Sequence, residues 1–154
     1  MEVNGEMLNM KEVIKLTTKE YLSQIRDLEV RIKNKKRDLE QLKEMAISLG
    51  GFDYKERVQT SKETGDIIGE SIAKVVDLES EISKDIIKLM ELKQKISNTI
   101  DKVGKTECYE VLYQRYVLCK KFEEIAIDMK YDIRQIHRFH GEGLKEIENV
   151  IECH

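Results

Sequence analysis

The sequence predicts an all-α protein: a long antiparallel helical hairpin followed by a small C-terminal helix-turn-helix domain. Its 154 residues are 37% charged and only 6% aromatic, with no Pro and no Trp, which is typical of long exposed helices. Two long stretches repeat apolar residues at alternating spacings of three and four, the heptad pattern of coiled coils. The C-terminal part combines two short amphipathic patterns with a tight turn. These features predict an N-terminal extension (1–16), a coiled-coil hairpin (17–103) and a C-terminal domain (107–154).

The first heptad pattern predicts one helix from Thr17 or Thr18 to Leu49. Its positions are Thr18, Tyr21, Ile25, Leu28, Ile32, Lys35, Leu39, Leu42, Ala46 and Leu49, of which only Thr18 and Lys35 are not apolar. The pair Gly50-Gly51 is expected to end the helix, because glycine adopts the left-handed C-cap conformation without a steric cost.

The second heptad pattern predicts a helix from Asp66 to about Val103, with Thr64 or Asp66 as its N-cap. The pattern consists of Ile68, Ile72, Val75, Glu79, Ile82, Ile86, Leu89, Lys93, Ile96, Ile100 and Val103, with Leu78 and Leu92 beside its charged positions. Phe52 to Glu63 lacks periodicity and is predicted to be the loop of the hairpin. The heptad positions of the two helices form one narrow apolar contact, which we call the seam. Since this seam buries little surface, the hairpin is expected to form a homodimer or a higher homo-oligomer.

The region from residue 122 to 147 predicts two helices joined by three residues. The first carries Phe122, Ile125, Ala126 and Met129 on one face. Asp132 follows, and its carboxylate can accept from the free N–H groups of the next helix as an N-cap. The second helix then repeats Ile133, Ile136, Phe139 or His140, Leu144 and Ile147. Such a pair is a helix-turn-helix, whose second helix enters the major groove of DNA.

The same segment resembles region four of bacterial sigma factors, the domain that reads the promoter −35 element. The match runs without a gap through Phe122-Glu123-Glu124-Ile125-Ala126, Met129, Ile136, Phe139, Gly143-Leu144 and Ile147, and Glu110 to Leu118 resembles the helix before it. The resemblance implies double-stranded DNA and RNA polymerase as partners. It also implies that Ile133, Arg134, His137 and Arg138 are the DNA-binding residues. Arg can bond guanine O6 and N7, whereas Ile touches only a thymine methyl.

The whole chain resembles a group of phage and prophage proteins of Gram-positive bacteria that join an N-terminal coiled coil to a sigma-region-four-like C-terminal half. The segments that carry this resemblance are Arg57 to Ser61 and Ile72 to Glu79. The chain lacks the sigma region that melts the −10 element. The resemblance therefore implies a sigma-like regulator that assists polymerase or activates phage genes, rather than a complete sigma factor.

Composition and motifs indicate the expected cellular location of the protein and exclude several classes of site. No run of 18 apolar residues is present, so neither a transmembrane helix nor any other association with a membrane is expected. The first 16 residues lack an apolar signal core, and three widely spaced cysteines favour a reduced, cytoplasmic protein. No motif of a nucleophile with its base, of a phosphate loop or of closed zinc ligands occurs. The sequence therefore predicts no catalytic residues, no metal site, no cofactor and no enzyme activity.

The charge distribution tempers the expectation of DNA binding. The net charge is −3, and residues 107–154 alone hold 7 Lys/Arg and 10 Asp/Glu, a difference of −3. DNA binding depends on the electrostatic potential of the helix face that carries Arg134, His137 and Arg138, rather than on the net charge of the chain. The basic run Arg31 to Arg37 is interpreted as a solvated coiled-coil face that pairs with acidic residues.

Two glycines lie in the second helix of the C-terminal pair. Gly143 falls where the sigma family has a small residue, so it is expected to pack closely on the preceding helix. Gly141 has no such explanation, and each glycine weakens a helix by about 1 kcal/mol relative to Ala.

Two other functions remain open beside a DNA-binding transcription regulator. A phage DNA-packaging adaptor, similar to a small terminase subunit, also joins a helix-turn-helix to a helical hairpin, and it would assemble into rings. A coiled-coil interaction module would bind only proteins. The number of subunits in the assembly and the binding of phage DNA at low salt distinguish these three functions.

Overall fold

The computed structural model describes residues 3–51 and 62–152, with side chains described for 18–48 and 66–152. In these ranges there are five α-helices and no strand, so the all-α prediction is confirmed. The helices are α1 (Val3–Gly51), α2 (Lys62–Ile100), α3 (Thr106–Leu112), α4 (Phe122–Met129) and α5 (Ile133–Glu152). A π-helical turn, Tyr113–Val117, continues α3.

The predicted start of α1 was wrong. The helix begins at Val3 rather than at Thr17 or Thr18. The preceding residues are rich in Met, Leu, Lys and Glu and contain no Pro, so nothing in them stops the helix from extending towards the N-terminus. It ends at Gly51, within the glycine pair that was expected to end it and two residues beyond Leu49. A glycine costs only about 1 kcal/mol in a helix, which the last turn of a long helix can absorb.

The predicted ends of α2 were also wrong. It begins at Lys62, so Thr64 and Asp66 lie inside its first turns instead of capping it, and it ends at Ile100 rather than at Val103. Capping residues are tolerated within a helix when good helix formers precede them, as Lys62 and Glu63 do here. Of the predicted loop, Lys62 and Glu63 belong to α2, and residues 52–61 lie outside the described residues.

The chain divides into two compact units. One combines residues 1–27 with 90–154, and the other comprises residues 28–89. Each is described separately below, the second first.

In the unit of residues 28–89, the first heptad pattern faces the interior as predicted. Ile32 is only 6% exposed, and Leu28, Lys35, Leu39, Leu42 and Ala46 are half-buried. Lys35 sits in this seam because it has acidic partners on α2: its Nζ lies 2.6 Å from Asp85 Oδ2 and 3.2 Å from Glu81 Oε2. Hydrogen bonding from Lys35 lowers the pKa of Asp85. The pairing of Lys35 agrees with the expectation for the basic run.

The second heptad pattern was partly wrong in this unit. Ile82 is buried, but Ile72, Glu79 and Ile86 are exposed. The positions one residue earlier, Ser71, Leu78 and Asp85, are half-buried instead. Two pairings favour this rotation of α2: Asp85 reaches Lys35, and Glu79 reaches Lys43 at 2.6 Å from the rim of the seam. As a result, Ile72 has 53% of its surface exposed and Ile86 has 36%.

The other unit has one continuous apolar core. Its fully or almost fully buried side chains come from both long helices and from the C-terminal helices: Leu22, Ile25, Ile96, Ile100, Val103, Cys108, Val111, Leu112, Ile125, Ile136, Phe139, Leu144 and Ile147. The N–H of Gly104 donates to Glu146 Oε2 at 2.8 Å, which links the connection after α2 to α5. The core fixes which face of α5 points inward.

Gly143 was expected to pack on the preceding helix, α4. In the structure it packs against α3 instead. A Cβ at Gly143 would lie 2.7 Å from Leu112 Cδ1 and 3.3 Å from Cys108 Cβ, and both of those residues are fully buried. A Cβ at Gly141 would meet nothing within 4 Å. The absence of a side chain therefore matters at Gly143 and not at Gly141.

Alanine at these two glycines is expected to change stability in opposite directions. Gly141→Ala should raise the free energy of unfolding by about 0.5–1 kcal/mol, because it restricts the unfolded backbone and finds open space. Gly143→Ala gains the same helix propensity but overpacks the α3–α5 contact at a cost of about 1–3 kcal/mol, so it should destabilise. Urea denaturation of the two variants beside the wild type tests this pair, and stabilisation by both would contradict the close approach of α3 and α5.

Candidate nucleic-acid interface

The end of α4 is a Schellman turn built around Lys130. The Tyr131 N–H donates to the Ala126 carbonyl at 3.1 Å, and the Lys130 N–H donates to the Ile127 carbonyl at 3.3 Å. Lys130 itself is left-handed, with φ 58° and ψ 39°, where glycine is the usual residue. The chain thus reverses within a few residues and exposes a lysine at the turn.

Asp132 starts α5 as an N-cap, which confirms the prediction for this residue. Its Oδ1 accepts from the Gln135 N–H at 2.9 Å, and its carbonyl accepts from the Ile136 N–H. Three residues, Lys130 to Asp132, therefore separate α4 from the twenty residues of α5.

The buried stripe of α5 sets the direction of its other side chains. Ile136 and Ile147 are fully buried, and Phe139, Gly143 and Leu144 are nearly so. Tyr131 from the turn packs its ring edge-on to Phe139 with centroids 5.2 Å apart. With this stripe inward, the first turns of α5 expose Ile133, Arg134, His137 and Arg138, the four residues that the sequence singled out.

The four side chains differ in their surroundings. Arg134 has no ion-pair partner within the described ranges. Arg138 keeps 60% of its side chain exposed but lies 3.7 Å from Glu142 Oε1 and above the Phe139 ring. Ile133 is 43% exposed. The two arginines and Ile133 thus form an open surface at the start of α5.

His137 is exposed, but one face of its ring is covered. Its centroid lies 4.5 Å from that of Phe122, the first residue of α4. The Arg115 guanidinium lies 4.5 Å from the same Phe122 ring and also donates to the Lys120 carbonyl at 2.8 Å. Phe122 therefore holds His137 against α4, so His137 has less freedom to reorient than Arg134 does.

Lys130 and Phe122 were not among the site residues predicted from the sequence. Lys130 adds a positive charge beside the start of α5, and the short spacing between the two apolar patterns was the available signal that it lies in a turn. No pattern in the sequence indicated that Phe122 supports His137, because residues 15 positions apart meet only through packing of α4 on α5.

Charge is separated within the C-terminal region. Residues 130–141 contain Lys130, Arg134 and Arg138 against Asp132 alone, a net of +2, and Asp132 is occupied as the N-cap. The rest of residues 107–154 holds the other 4 basic and 9 acidic residues, a net of −5. The start of α5 and the preceding turn therefore form a local basic surface on an acidic region.

Behind this surface lies a polar pair in which Tyr116 is buried and His140 is half-buried. His140 Nε2 and the Tyr116 hydroxyl are 2.8 Å apart. Burial, helped by the positive charges of Lys19 and Arg115, lowers the pKa of His140 to about 4. Burial also raises the pKa of Tyr116 to about 12 and that of the Cys108 thiol to about 11. All three groups are therefore neutral at pH 7.

Among the described residues, no three His, Cys, Asp or Glu side chains are grouped so that they could hold a metal ion. None of the helices in the described ranges combines the length and the apolar character needed to span a membrane. No protein-family model matches the chain, and the comparisons with curated proteins and with solved structures find no match either.

Proposed function

We propose that this protein is a DNA-binding transcription regulator of phage or mobile-element origin. In this proposal α4 and α5 form a helix-turn-helix, and the side chains that read promoter or operator DNA are Ile133, Arg134, His137 and Arg138. The long helices form an antiparallel coiled-coil hairpin through which the protein self-associates. RNA polymerase is the proposed protein partner, on the basis of the resemblance to sigma region four.

The antiparallel hairpin is supported by the order of contacts between the long helices. In one unit Lys35 pairs with Asp85 and Lys43 with Glu79, so positions on α2 fall as those on α1 rise. In the other unit the Tyr21 hydroxyl lies 3.3 Å from Thr99 Oγ1, in the same order.

The helix-turn-helix is supported by the geometry of the turn and by the exposed start of α5. A Schellman turn followed by an aspartate N-cap provides hydrogen bonds to two carbonyls at the end of α4 and to one N–H at the start of α5 within three residues. The second helix is anchored by Ile136 and Phe139, so its N-terminal residues face solvent, as insertion into a major groove requires.

The separation of charge carries the proposal. A surface of net charge +2 in a region that is otherwise net −5 is suited to contact phosphates locally, while the acidic surroundings disfavour indiscriminate binding. Arginine on this surface can also make paired bonds to guanine.

Selection of bound sequences from a random pool of double-stranded DNA tests this function. We expect enrichment of a defined site whose affinity falls with salt at a log–log slope of roughly −3 or shallower per C-terminal domain, since only Lys130, Arg134 and Arg138 lie on the basic surface. Competitor DNA of random sequence should displace little of the bound site. Absence of any complex at low salt would leave only the protein-interaction alternative.

The packaging-adaptor alternative is separated from the regulator by assembly. A small terminase-like subunit is expected to sediment as an octamer or a larger ring, and a regulator as a dimer. The same sedimentation run on the full chain decides between them.

A further inference from the structure

Within residues 66–89, α2 carries three lengthwise stripes. The stripe that faces the interior of the unit holds Ile68, Ser71, Val75, Leu78, Ile82, Asp85 and Leu89. A charged exposed stripe holds Glu70, Lys74, Asp77, Glu81, Lys84 and Lys88. The third stripe is exposed at every position and has no charge: Gly69, Ile72, Ala73, Val76, Ser80, Ser83 and Ile87. We call this third set the uncharged stripe.

The uncharged stripe is poorly suited to water. Ile72, Val76 and Ile87 have 53%, 57% and 58% of their surface exposed. The Ser83 hydroxyl donates to the Glu79 carbonyl of its own helix at 2.9 Å, so it needs no water to satisfy its proton. Covering this stripe would bury apolar surface without desolvating any charge, in a chain that is 37% charged.

We propose that the uncharged stripe binds a second copy of this chain, with α2 packed antiparallel to its symmetry mate about a two-fold axis near Ser80. This inference deepens the self-association that the proposed function includes, and it does not depend on DNA binding.

The order of side-chain sizes along the stripe supports a two-fold contact. An interface between identical copies of a symmetric dimer must be complementary to itself. Here the large side chains lie towards the two ends, Ile72 and Val76 at one and Ile87 at the other, while Ser80 and Ser83 occupy the middle. Reversing one copy brings Ile87 opposite Ile72 and Val76 of the second copy, and places the serines opposite each other.

Charges beside the stripe favour the same orientation. At about 100° per residue, the charged residues along one edge of its first half are Asp66, Glu70, Lys74 and Asp77, a net of −2. Those along the same edge of its second half are Glu81, Lys84 and Lys88, a net of +1. In an antiparallel pair the acidic half of one copy opposes the basic half of the other. In a parallel two-fold pair this charged edge would instead face the opposite edge of the second copy, and the pairing of its acidic half with its basic half would be lost.

Sedimentation of charged variants tests the surface. Val76→Lys and Ile87→Lys should each raise the dimer dissociation constant at least 100-fold, because they place a lysine among the large apolar side chains of the contact. Both side chains are exposed in the single chain, so circular dichroism should show unchanged helix content. Glu40→Lys, which adds a lysine at an exposed position of α1, is the matched control and should remain dimeric. A monomeric wild type, or variants that dimerise as the wild type does, would overturn the proposal.

Single cysteines test the orientation, in a background with Cys119→Ser and Cys153→Ser. Ser80→Cys, near the axis, should cross-link to itself under mild oxidation. Ile72→Cys should not, because its symmetry mate is about 24 Å away along the helix, but it should cross-link when mixed with Ile87→Cys. Self-cross-linking of Ile72→Cys would indicate a parallel pair and reject the proposal.

The experiments distinguish a failure of the dimer proposal from a failure of the proposed DNA binding. A variant with both Arg134→Ala and Arg138→Ala should sediment as a dimer, so loss of DNA binding leaves this inference standing. Conversely, Val76→Lys monomers should still give a detectable, weaker shift on a high concentration of the selected DNA.

Discussion

Replacing both Arg134 and Arg138 by alanine is expected to weaken binding to the preferred DNA site by at least about 2 kcal/mol, roughly 30-fold. A bidentate arginine contact to guanine is worth about 1–3 kcal/mol of discrimination, and these two side chains project from the exposed start of α5. Arg138→Ala alone should cost about 1–3 kcal/mol and relax specificity at one base pair. Fluorescence anisotropy against the selected site and a scrambled site measures both effects.

A control matched in charge accompanies this experiment. Arg31→Ala combined with Lys36→Ala also removes two positive charges from exposed positions, but these lie on α1. It should weaken the preferred and the scrambled site equally, if it weakens either. DNA binding that survives unchanged in the Arg134→Ala, Arg138→Ala variant would refute the assignment of the reading surface to α5.

Acidification is expected to destabilise the protein between about pH 6.5 and pH 4 because of His140. The pKa of His140 is lowered to about 4 in the folded protein, against about 6.5 for an exposed histidine in the unfolded chain. Between these values the unfolded state binds the proton first, so folding stability rises with pH. The contribution is fully present above pH 6.5 and is lost as pH falls, up to about 3 kcal/mol in total.

Urea denaturation at half-unit pH steps from 7.5 to 4 measures this loss, and His140→Gln identifies its source. The variant loses the buried titrating group, so its stability should vary much less with pH in that window. The exposed His137→Gln is the matched control and should keep the wild-type slope. The pKa of the Glu142 carboxyl, lowered by its bond to Lys105, places its own effect below about pH 4.5. An equal slope in wild type and His140→Gln would contradict burial of His140 against Tyr116.

Local sequence determined the helical class and the turn between α4 and α5. Helix propensity and the absence of Pro specify long helices, and the carboxylate of Asp132 caps α5 through a bond only three residues away. Most of the exposed face of α5 was also readable, because the apolar residues Ile136, Phe139 and Ile147 define its buried side by spacing alone. Ile133, the first member of the predicted apolar repeat, is 43% exposed and does not belong to the buried side. Such features depend on groups within a few residues of each other, so a single sequence is sufficient to predict them.

The tertiary structure alone decided the features that depend on partners far along the chain. Whether Ile72 or Ser71 faces the interior of its unit depends on the rotation of α2, where Asp85 reaches Lys35, 50 residues away. The contact of Gly143 with Leu112 and the ring of Phe122 against His137 likewise depend on how the helices pack. Periodicity leaves this rotation open by one residue, and only contacts between residues far apart in the chain decide which of the two faces points inward.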